Sequence, residues 1–397
     1  MRVIMLGLAV PNMDNSINLY SEIVQEFRKN GHEVFVVAPV MQGTSKGLHM
    51  EGGIKVLRIE TMKLFGVGKF YKAIANLLLP YQFHRGMRAH KITLDFDLVL
   101  IPTPPITLMP LARKIKNKCG AKVYLILRDI FPQNAIDLKI MREGGLAHRF
   151  FRKQEKELYA ICDGIGCMSP GNMKYIMAHN PEIPASIVHE LPNWRRATPY
   201  PSHNQDAEIR DHYGFGDKFV VIFGGNIGKP QKMENVVALA QACRDHKDIF
   251  FAIFGEGTEK DTLAQQIATS GLQNIKVFEG LSGPEYFKVL QVADLGLISL
   301  SEDFTIPNTP SKVMVYYNSK KPILADIDKN TDIGEILEEI GVGVWAEANK
   351  TEELKEQLLK LYKDPELRQQ MGENGYKYLL DRLPPERAYQ TVIHALE

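Results

Sequence analysis

Short apolar runs rich in Val, Ile, Leu and Phe alternate with longer helical stretches along nearly all of the 397 residues, and the alternation runs through twice. In the first half, residues 2–8 read as a strand. Residues 17–30 read as a helix with Leu19, Ile23, Val24 and Phe27 at helical spacing and Gly31 as its stop, and 33–38 is the next strand. Strands follow at 98–101, 123–127, 164–168 and 186–189, with a long helix at 146–162. The second half repeats the pattern, with strands at 219–223, 249–254, 275–278, 295–299, 322–325 and 342–345 and helices such as 233–244 and 285–292. Such runs between helices predict parallel sheets covered on both faces, an α/β chain of two Rossmann-like domains.

The length supports that division, since one hydrophobic core rarely serves so long a chain. Residues 193–217, rich in Pro, Asn, Asp and Arg and short of periodicity, are expected to link a first domain (1–192) to a second (218–383). Two lobes of this kind are expected to face a central cleft, with ligands beyond the carboxyl ends of the strands.

The bulk composition, 45% hydrophobic and 24% charged, is that of an ordinary globular protein. Cys119, Cys162, Cys167 and Cys243 show no Cys-x-x-Cys spacing and read as reduced, mostly buried thiols. The apolar start, Val3 to Leu6, is too short for a signal peptide, and Asn12, Asp14 and Asn15 interrupt the apolar character soon after it. With no apolar stretch near the ~20 residues that span a bilayer, a cytoplasmic chain is expected, with attachment to a membrane face left open. Charge is uneven: residues 1–190 carry 25 Lys and Arg against 16 Asp and Glu, and residues 191–397 carry 23 against 31. The imbalance points to an anionic partner for the first half; a nucleic acid is not expected.

Three segments of the second half carry chemistry. Gly224-Gly225-Asn226-Ile227-Gly228-Lys229 comes directly after a strand and precedes a helix, so backbone amides can approach a phosphate, with Lys229 and Lys232 adding charge. A tight turn needs glycine without any ligand, so position and lysines carry this assignment. Gly255-Glu256-Gly257 ends another strand, where Glu256 can accept from hydroxyls or simply sit in a turn. In Asn308-Thr309-Pro310-Ser311-Lys312, Thr309 reads as an N-cap and Pro310 as the first helical residue. That leaves the amides of Ser311, Lys312 and Val313 free for an anion beside the Lys312 charge. An ordinary capped helix is the plainer alternative, but lysine is disfavoured in a first turn unless something anionic is present. Asp326-Ile327-Asp328 opens a loop of turn residues with no further ligands, and the scattered histidines show no metal spacing. No metal and no cofactor are expected.

With these motifs in order, the chain resembles the retaining glycosyltransferases of family 4, of GT-B fold, and among them the bacterial members that assemble surface polysaccharides. The resemblance covers nearly the whole chain. It runs from Gly31-His32-Glu33-Val34 through Glu157–Gly164, Met168-Ser169-Pro170-Gly171 and Leu191-Pro192-Asn193. In the second half it takes in Gly225–Lys229, Gly255-Glu256-Gly257, Phe278-Glu279-Gly280, Pro310-Ser311-Lys312 and Lys321-Pro322-Ile323-Leu324. It implies a nucleotide-sugar donor, usually a UDP-sugar, with retained configuration and no metal, the diphosphate being neutralised by helix ends and basic side chains. Carried over, Gly225, Asn226, Lys229 and Lys232 meet the diphosphate, with Ser311 and Lys312 opposite, and Phe278 frames the base. Arg128 and Asp129 end a first-domain strand, where Asp129 can meet a sugar or acceptor hydroxyl, and Arg128 stands where a histidine is sometimes found. The family's paired glutamates are absent: their positions hold Pro307 and Val315, which leaves Glu302 or Glu256 to take the ribose. A C-terminal helix over 384–397 is implied to pack back on the first domain.

Residues 69–79 combine apolar side chains on one face with Lys69 and Lys72, and Pro80 is followed by Tyr81, Phe83, Arg85 and Arg88. A basic amphipathic stretch suits anionic lipid, and a core helix with a solvated edge is the plain alternative. With the charge imbalance it suggests a polyprenyl-diphosphate-linked saccharide acceptor at the inner membrane face, as in O-antigen or capsule synthesis. Two other functions fit the same architecture: a UDP-sugar 2-epimerase, for which Asp129 is the only candidate acid or base, and a non-catalytic partner subunit.

Overall fold

The computed structural model describes residues 1–64, 66–198 and 205–397, apart from the side chains of Lys69 and Phe70. Residues 199–204, inside the stretch expected to be linker, lie outside the described residues. The chain forms two compact units, Met1–Arg196 with Leu383–Glu397, and Ala197–Arg382.

The first unit is built on an eight-stranded sheet: β1 (Arg2–Leu6), β2 (Glu33–Pro39), β3 (Gly47–Glu51), β4 (Ile54–Ile59), β5 (Leu98–Pro102), β6 (Lys122–Ile126), β7 (Gly164–Cys167) and β8 (Val188–Glu190). Their order is β3-β4-β2-β1-β5-β6-β7-β8. β1 lies at the centre, with Val3 and Met5 opposite Val34 and Val36 of β2 and Ile4 opposite Val99 of β5. The order reverses between β1 and β5, the switch point beside which open α/β sheets bind ligands. Its helices are α1 (Leu19–Lys29), α2 (Lys69–Ala89), α3 (Met109–Cys119), α4 (Gln133–Asp137), α5 (Leu146–Ile161) and α6 (Pro170–His179). α1 begins at a capping box in which Asn18 and Ser21 satisfy each other's backbone N–H groups.

The β3–β4 hairpin departs from the expected all-parallel pattern, β3 pairing antiparallel with β4. Gly52 (φ +54) and Gly53 (φ +75) supply the two left-handed positions its turn demands. A buried ion pair hid the hairpin in the sequence. Arg58 donates to both Glu51 carboxylate oxygens at 2.8 and 2.6 Å and to the carbonyls of Val10 and Pro11 at 2.7 Å. Two charged residues thus occupy positions that pattern alone assigns to a surface.

The second unit holds β9 (Phe219–Asn226), β10 (Ile249–Glu256), β11 (Ile275–Phe278), β12 (Leu295–Ser299), β13 (Ile323–Ile327) and β14 (Gly343–Glu347), all parallel, in the order β11-β10-β9-β12-β13-β14. Its switch point lies between β9 and β12. The helices are α7 (Asp206–Tyr213), α8 (Met233–Ala242), α9 (Lys260–Ser270), α10 (Gly283–Gln291), α11 (Lys312–Asn318), α12 (Ile333–Ile340), α13 (Thr351–Lys363) and α14 (Pro365–Arg382). α7 occupies part of what the sequence suggested was linker. Acidic residues in its first turn, Arg210 and His212 in its last and a left-handed Gly214 at its end stabilise so short a helix.

The chain then returns to the first unit as α15 (Pro385–His394), which packs on α1 with Tyr389 edge-on to Phe27 at 4.9 Å. Each unit has its own core, around Val3, Met5, Val36 and Leu100 in the first and Val221, Phe251, Leu295 and Leu324 in the second. Among the described residues no helix is long and apolar enough to cross a membrane.

Candidate functional site

In the second unit the strand ends at the switch point meet closely. β9 and β10 stay in register to their tips, Gly225 opposite Gly255 and Asn226 opposite Glu256. A Cβ on Gly255 would lie 1.9 Å from the Gly225 carbonyl oxygen, and one on Gly257 would lie 2.0 Å from that of Ile227. Gly255 and Gly257 are thus required by the approach of two backbones. Gly225 differs: it is exposed, with φ +136, and a Cβ there would lie 3.7 Å from Lys312 Nζ.

Lys312 is the electrostatic centre of this strand end. Its Nζ lies 3.5 Å from the centroid of the buried Phe223 ring, and among the described residues no carboxylate pairs with it. Desolvation pushes its pKa down to about 7. A lysine held this way is a cation without a counter-ion, which an anion at Gly225 would supply. The local backbone differs from expectation. α11 starts at Lys312, and its cap is Ser311 in a helical conformation rather than Thr309. The Val313 N–H is already bonded to the Pro310 carbonyl at 3.2 Å, so of the three amides expected to be free only those of Ser311 and Lys312 remain without a partner among the described residues.

Below this point the 229–231 turn projects Lys229 into solvent, with no charged partner among the described residues. Its backbone is held by the end of β12: Ser299 Oγ donates to the Gln231 carbonyl at 2.6 Å and the Ser301 N–H to that of Pro230 at 2.9 Å. Ser299 Oγ also lies 3.4 Å from Asp326, whose carboxyl burial pushes up to about 6. The Asn226 and Gln231 side-chain amides meet at 3.1 Å.

Several expected ligand contacts are occupied within the protein. Lys232, in a left-handed backbone conformation, is paired with Glu302 at 2.8 Å. Burial raises the Glu302 carboxyl most, but the Lys232 hydrogen bond and charge, with hydrogen bonds from the Glu302 backbone and Asn349, together outweigh it and the net shift is downward. The two residues are brought together, though as partners of one another. Glu256 accepts from the Gly280 N–H at 3.0 Å and from Lys260 at 2.9 Å, which hold its pKa at about 2. Phe278 stacks on Phe254 at 4.6 Å with Lys276 4.8 Å from its centroid and Tyr213 of α7 edge-on at 5.5 Å. It belongs to an aromatic wall that seats α7 rather than to an open base platform. Asp328 accepts from the Asn330 and Thr331 N–H groups and from the Thr331 hydroxyl, so it closes a turn.

In the first unit, Arg128 and Asp129 follow β6 beside the other switch point. The Arg128 N–H donates to Thr103 Oγ1 at 3.1 Å, its guanidinium to the Leu127 and Leu191 carbonyls at 3.1 Å, and its plane lies 4.9 Å from the Trp194 ring. Its Nε and Nη2 have no hydrogen-bond partner among the described residues, and desolvation lowers its pKa to about 10. Burial likewise raises the Asp129 carboxyl, which has no hydrogen bond or ion pair among the described residues. The Tyr20 phenol, raised by its own burial, senses both charges. The parts played by Trp194, Tyr20 and Phe223 were missed in the sequence, because each joins its site through contacts far apart along the chain. On α2, Lys72, Arg85 and Arg88 are exposed; the Lys69 side chain lies outside the described residues.

Residues 205–378 match the family model of the Glycosyl transferases group 1. The chain is 27% identical over 248 residues to the probable glycosyltransferase WbjE of Pseudomonas aeruginosa, covering 62% of this chain and 61% of that protein. It is 24% identical over 265 residues to the putative colanic acid biosynthesis glycosyl transferase WcaI of Escherichia coli K12, covering 65% and 64%. The matches thus span less than two thirds of either relative. The fold resembles Anabaena HepE, solved in complex with UDP-glucose, at TM-score 0.72 and 14% identity over 100% of this chain and 99% of the other. Two Rossmann-like units, the order of the motifs and the match over the second unit give the chain the GT-B fold and make it similar to the group 1 glycosyl transferases of family 4.

Proposed function

We propose that the chain transfers a sugar from a UDP-sugar, with retained configuration, to a saccharide carried on a polyprenyl diphosphate at the inner membrane face, in polysaccharide synthesis of the O-antigen or capsule kind. The observation that carries the donor half is the Lys312 cation, unpaired among the described residues, beside the exposed, left-handed Gly225. In this reading Lys312 and the amides of Ser311 and Lys312 hold the diphosphate against the exposed Gly225, with Lys229 closing from the 229–231 turn. As the sugar–phosphate bond breaks, negative charge grows on the leaving diphosphate, and fixed cations stabilise it most at that stage. Asn226 keeps its assignment to the diphosphate. Lys232 acts through its pair with Glu302, and Glu256 remains available to ribose hydroxyls through its second oxygen.

Asp129 is assigned the reacting or acceptor hydroxyl. Its position past β6 is where such sheets bind ligands, and burial raises its carboxyl and makes it a stronger proton acceptor. Arg128 positions that segment. UDP as the carrier is supported by HepE, and the polysaccharide context by the name of WcaI. Lys69, Lys72, Arg85 and Arg88 are assigned to the anionic membrane surface.

The test is incubation of the full chain with a panel of UDP-sugars, with and without a lipid-linked saccharide acceptor, alongside calorimetry with UDP. Transfer only in the presence of acceptor is expected. Free epimer without acceptor would mark an epimerase, binding without turnover a partner subunit, and no binding of any nucleotide sugar would reject the donor site itself.

A further inference from the structure

α2 is apolar on both sides. Its inner side, Ala75, Leu79, Phe83 and Met87, is fully buried, and Gly86 lets it approach β4, since a Cβ there would lie 2.2 Å from Ile59 Cδ1. The sequence suggested a single apolar face. The structure instead shows a second one, at intervals of three and four residues: Tyr71, Ile74, Leu78 and Tyr81, with Leu77 beside them, are all exposed, Tyr81 at 63%. The same stripe continues into exposed Arg85 and Arg88.

A helix that is apolar all round is normally covered all round, and a contiguous exposed apolar surface marks an interaction site. Charge decides the occupant. Residues 61–94 contain six Lys and Arg and no Asp or Glu. A second copy of this helix would offer no carboxylate to Arg85 and Arg88, and either pairing direction would set cations against cations or against leucines. An anionic lipid surface answers both parts of the stripe, with acyl chains for Ile and Leu, the interface for Tyr rings and phosphates for Arg. α5, which packs with α2 against the 106–108 turn, exposes Leu146 at 86% and Phe150 one turn later, a further apolar point on a basic helix.

We infer that α2 lies in the head-group region of an anionic bilayer with Tyr71, Ile74, Leu77, Leu78 and Tyr81 inserted and Lys72, Arg85 and Arg88 on lipid phosphates. Attachment then depends on insertion as well as charge. This rests on the membrane-presented acceptor proposed above, but its test does not use sugar transfer, and UDP calorimetry reports separately on the donor site.

The full chain is floated with vesicles of phosphatidylcholine, alone or mixed with phosphatidylglycerol. Wild type is expected to float with the mixed vesicles. Ile74→Ser combined with Leu78→Ser, at exposed positions where the fold is checked by melting temperature, is expected to lower partitioning at least about tenfold, with Arg85 and Arg88 intact. Tyr81→Trp is expected to be quenched by brominated lipid chains. Wild-type partitioning of the serine variant, absence of flotation by wild type, or a dimer that the serine variant dissociates would each overturn the inference.

Discussion

The ammonium of Lys312 rests 3.5 Å above the Phe223 ring and, among the described residues, has no carboxylate to answer it. A desolvated cation in that state destabilises the empty fold and strengthens binding of an anion, so the two effects are expected to separate by mutation. Lys312→Met keeps the packing and removes the charge. UDP affinity is expected to fall by about 1.5–3 kcal/mol, the worth of a charge-assisted hydrogen bond, while the melting temperature of the unliganded chain rises, by on the order of 1 kcal/mol in stability. Calorimetry with UDP and thermal unfolding on the same samples check both.

The same lysine makes donor binding depend on pH. Its folded pKa, about 7, lies below the ordinary lysine value of 10.5. Between those values the unfolded chain holds more protons than the folded one, so unliganded stability rises with pH across that window. A bound diphosphate favours the ammonium, so UDP should take up about half a proton at pH 7 and lose affinity as pH rises further. Calorimetry in buffers of different ionisation enthalpy measures the uptake. Lys312→Arg, which stays charged, is expected to flatten the profile.

Much of the fold was legible because buried parallel strands need continuous apolar runs, and β1, β2, β5, β9, β10 and β12 have them. The β3–β4 hairpin was not, because burying Arg58 against Glu51 puts polar letters where the pattern demands apolar ones. α7 was hidden by its polar surface, none of its residues being buried. At the site, local chemistry identified Lys312 and Gly225, whereas the ring beneath Lys312 lies 89 positions earlier in the chain and left no local signal. Pairing between candidates was equally invisible: Lys232 and Glu302 meet from separate elements 70 positions apart.

Asp129 is expected to matter for turnover and not for the donor. Asp129→Asn preserves shape and removes the acceptor of a proton. Turnover is expected to fall by about a hundredfold or more, with UDP affinity unchanged, because the contacts assigned to UDP lie in the other unit. The desolvation that raises its pKa means the charged form burdens the fold, so the amide variant should melt no lower than wild type. Steady-state kinetics with saturating donor, calorimetry and melting curves distinguish these outcomes from general misfolding.

Ser299 tests whether the lysine turn must be held in place. Its hydroxyl donates to the Gln231 carbonyl at 2.6 Å from the end of β12, while Asp326 lies on its other side at 3.4 Å. It is buried and out of reach of solvent, so any effect on the donor has to pass through the 229–231 turn that carries Lys229. Loss of one buried hydrogen bond, about 1 kcal/mol, should loosen that turn without removing a cation. Ser299→Ala is therefore expected to raise KM for the UDP-sugar about three- to tenfold with little change in kcat, and Ser299→Thr to restore it by replacing the hydroxyl. A fall in kcat at unchanged KM would place Ser299 in the stability of the sheet rather than in the positioning of Lys229.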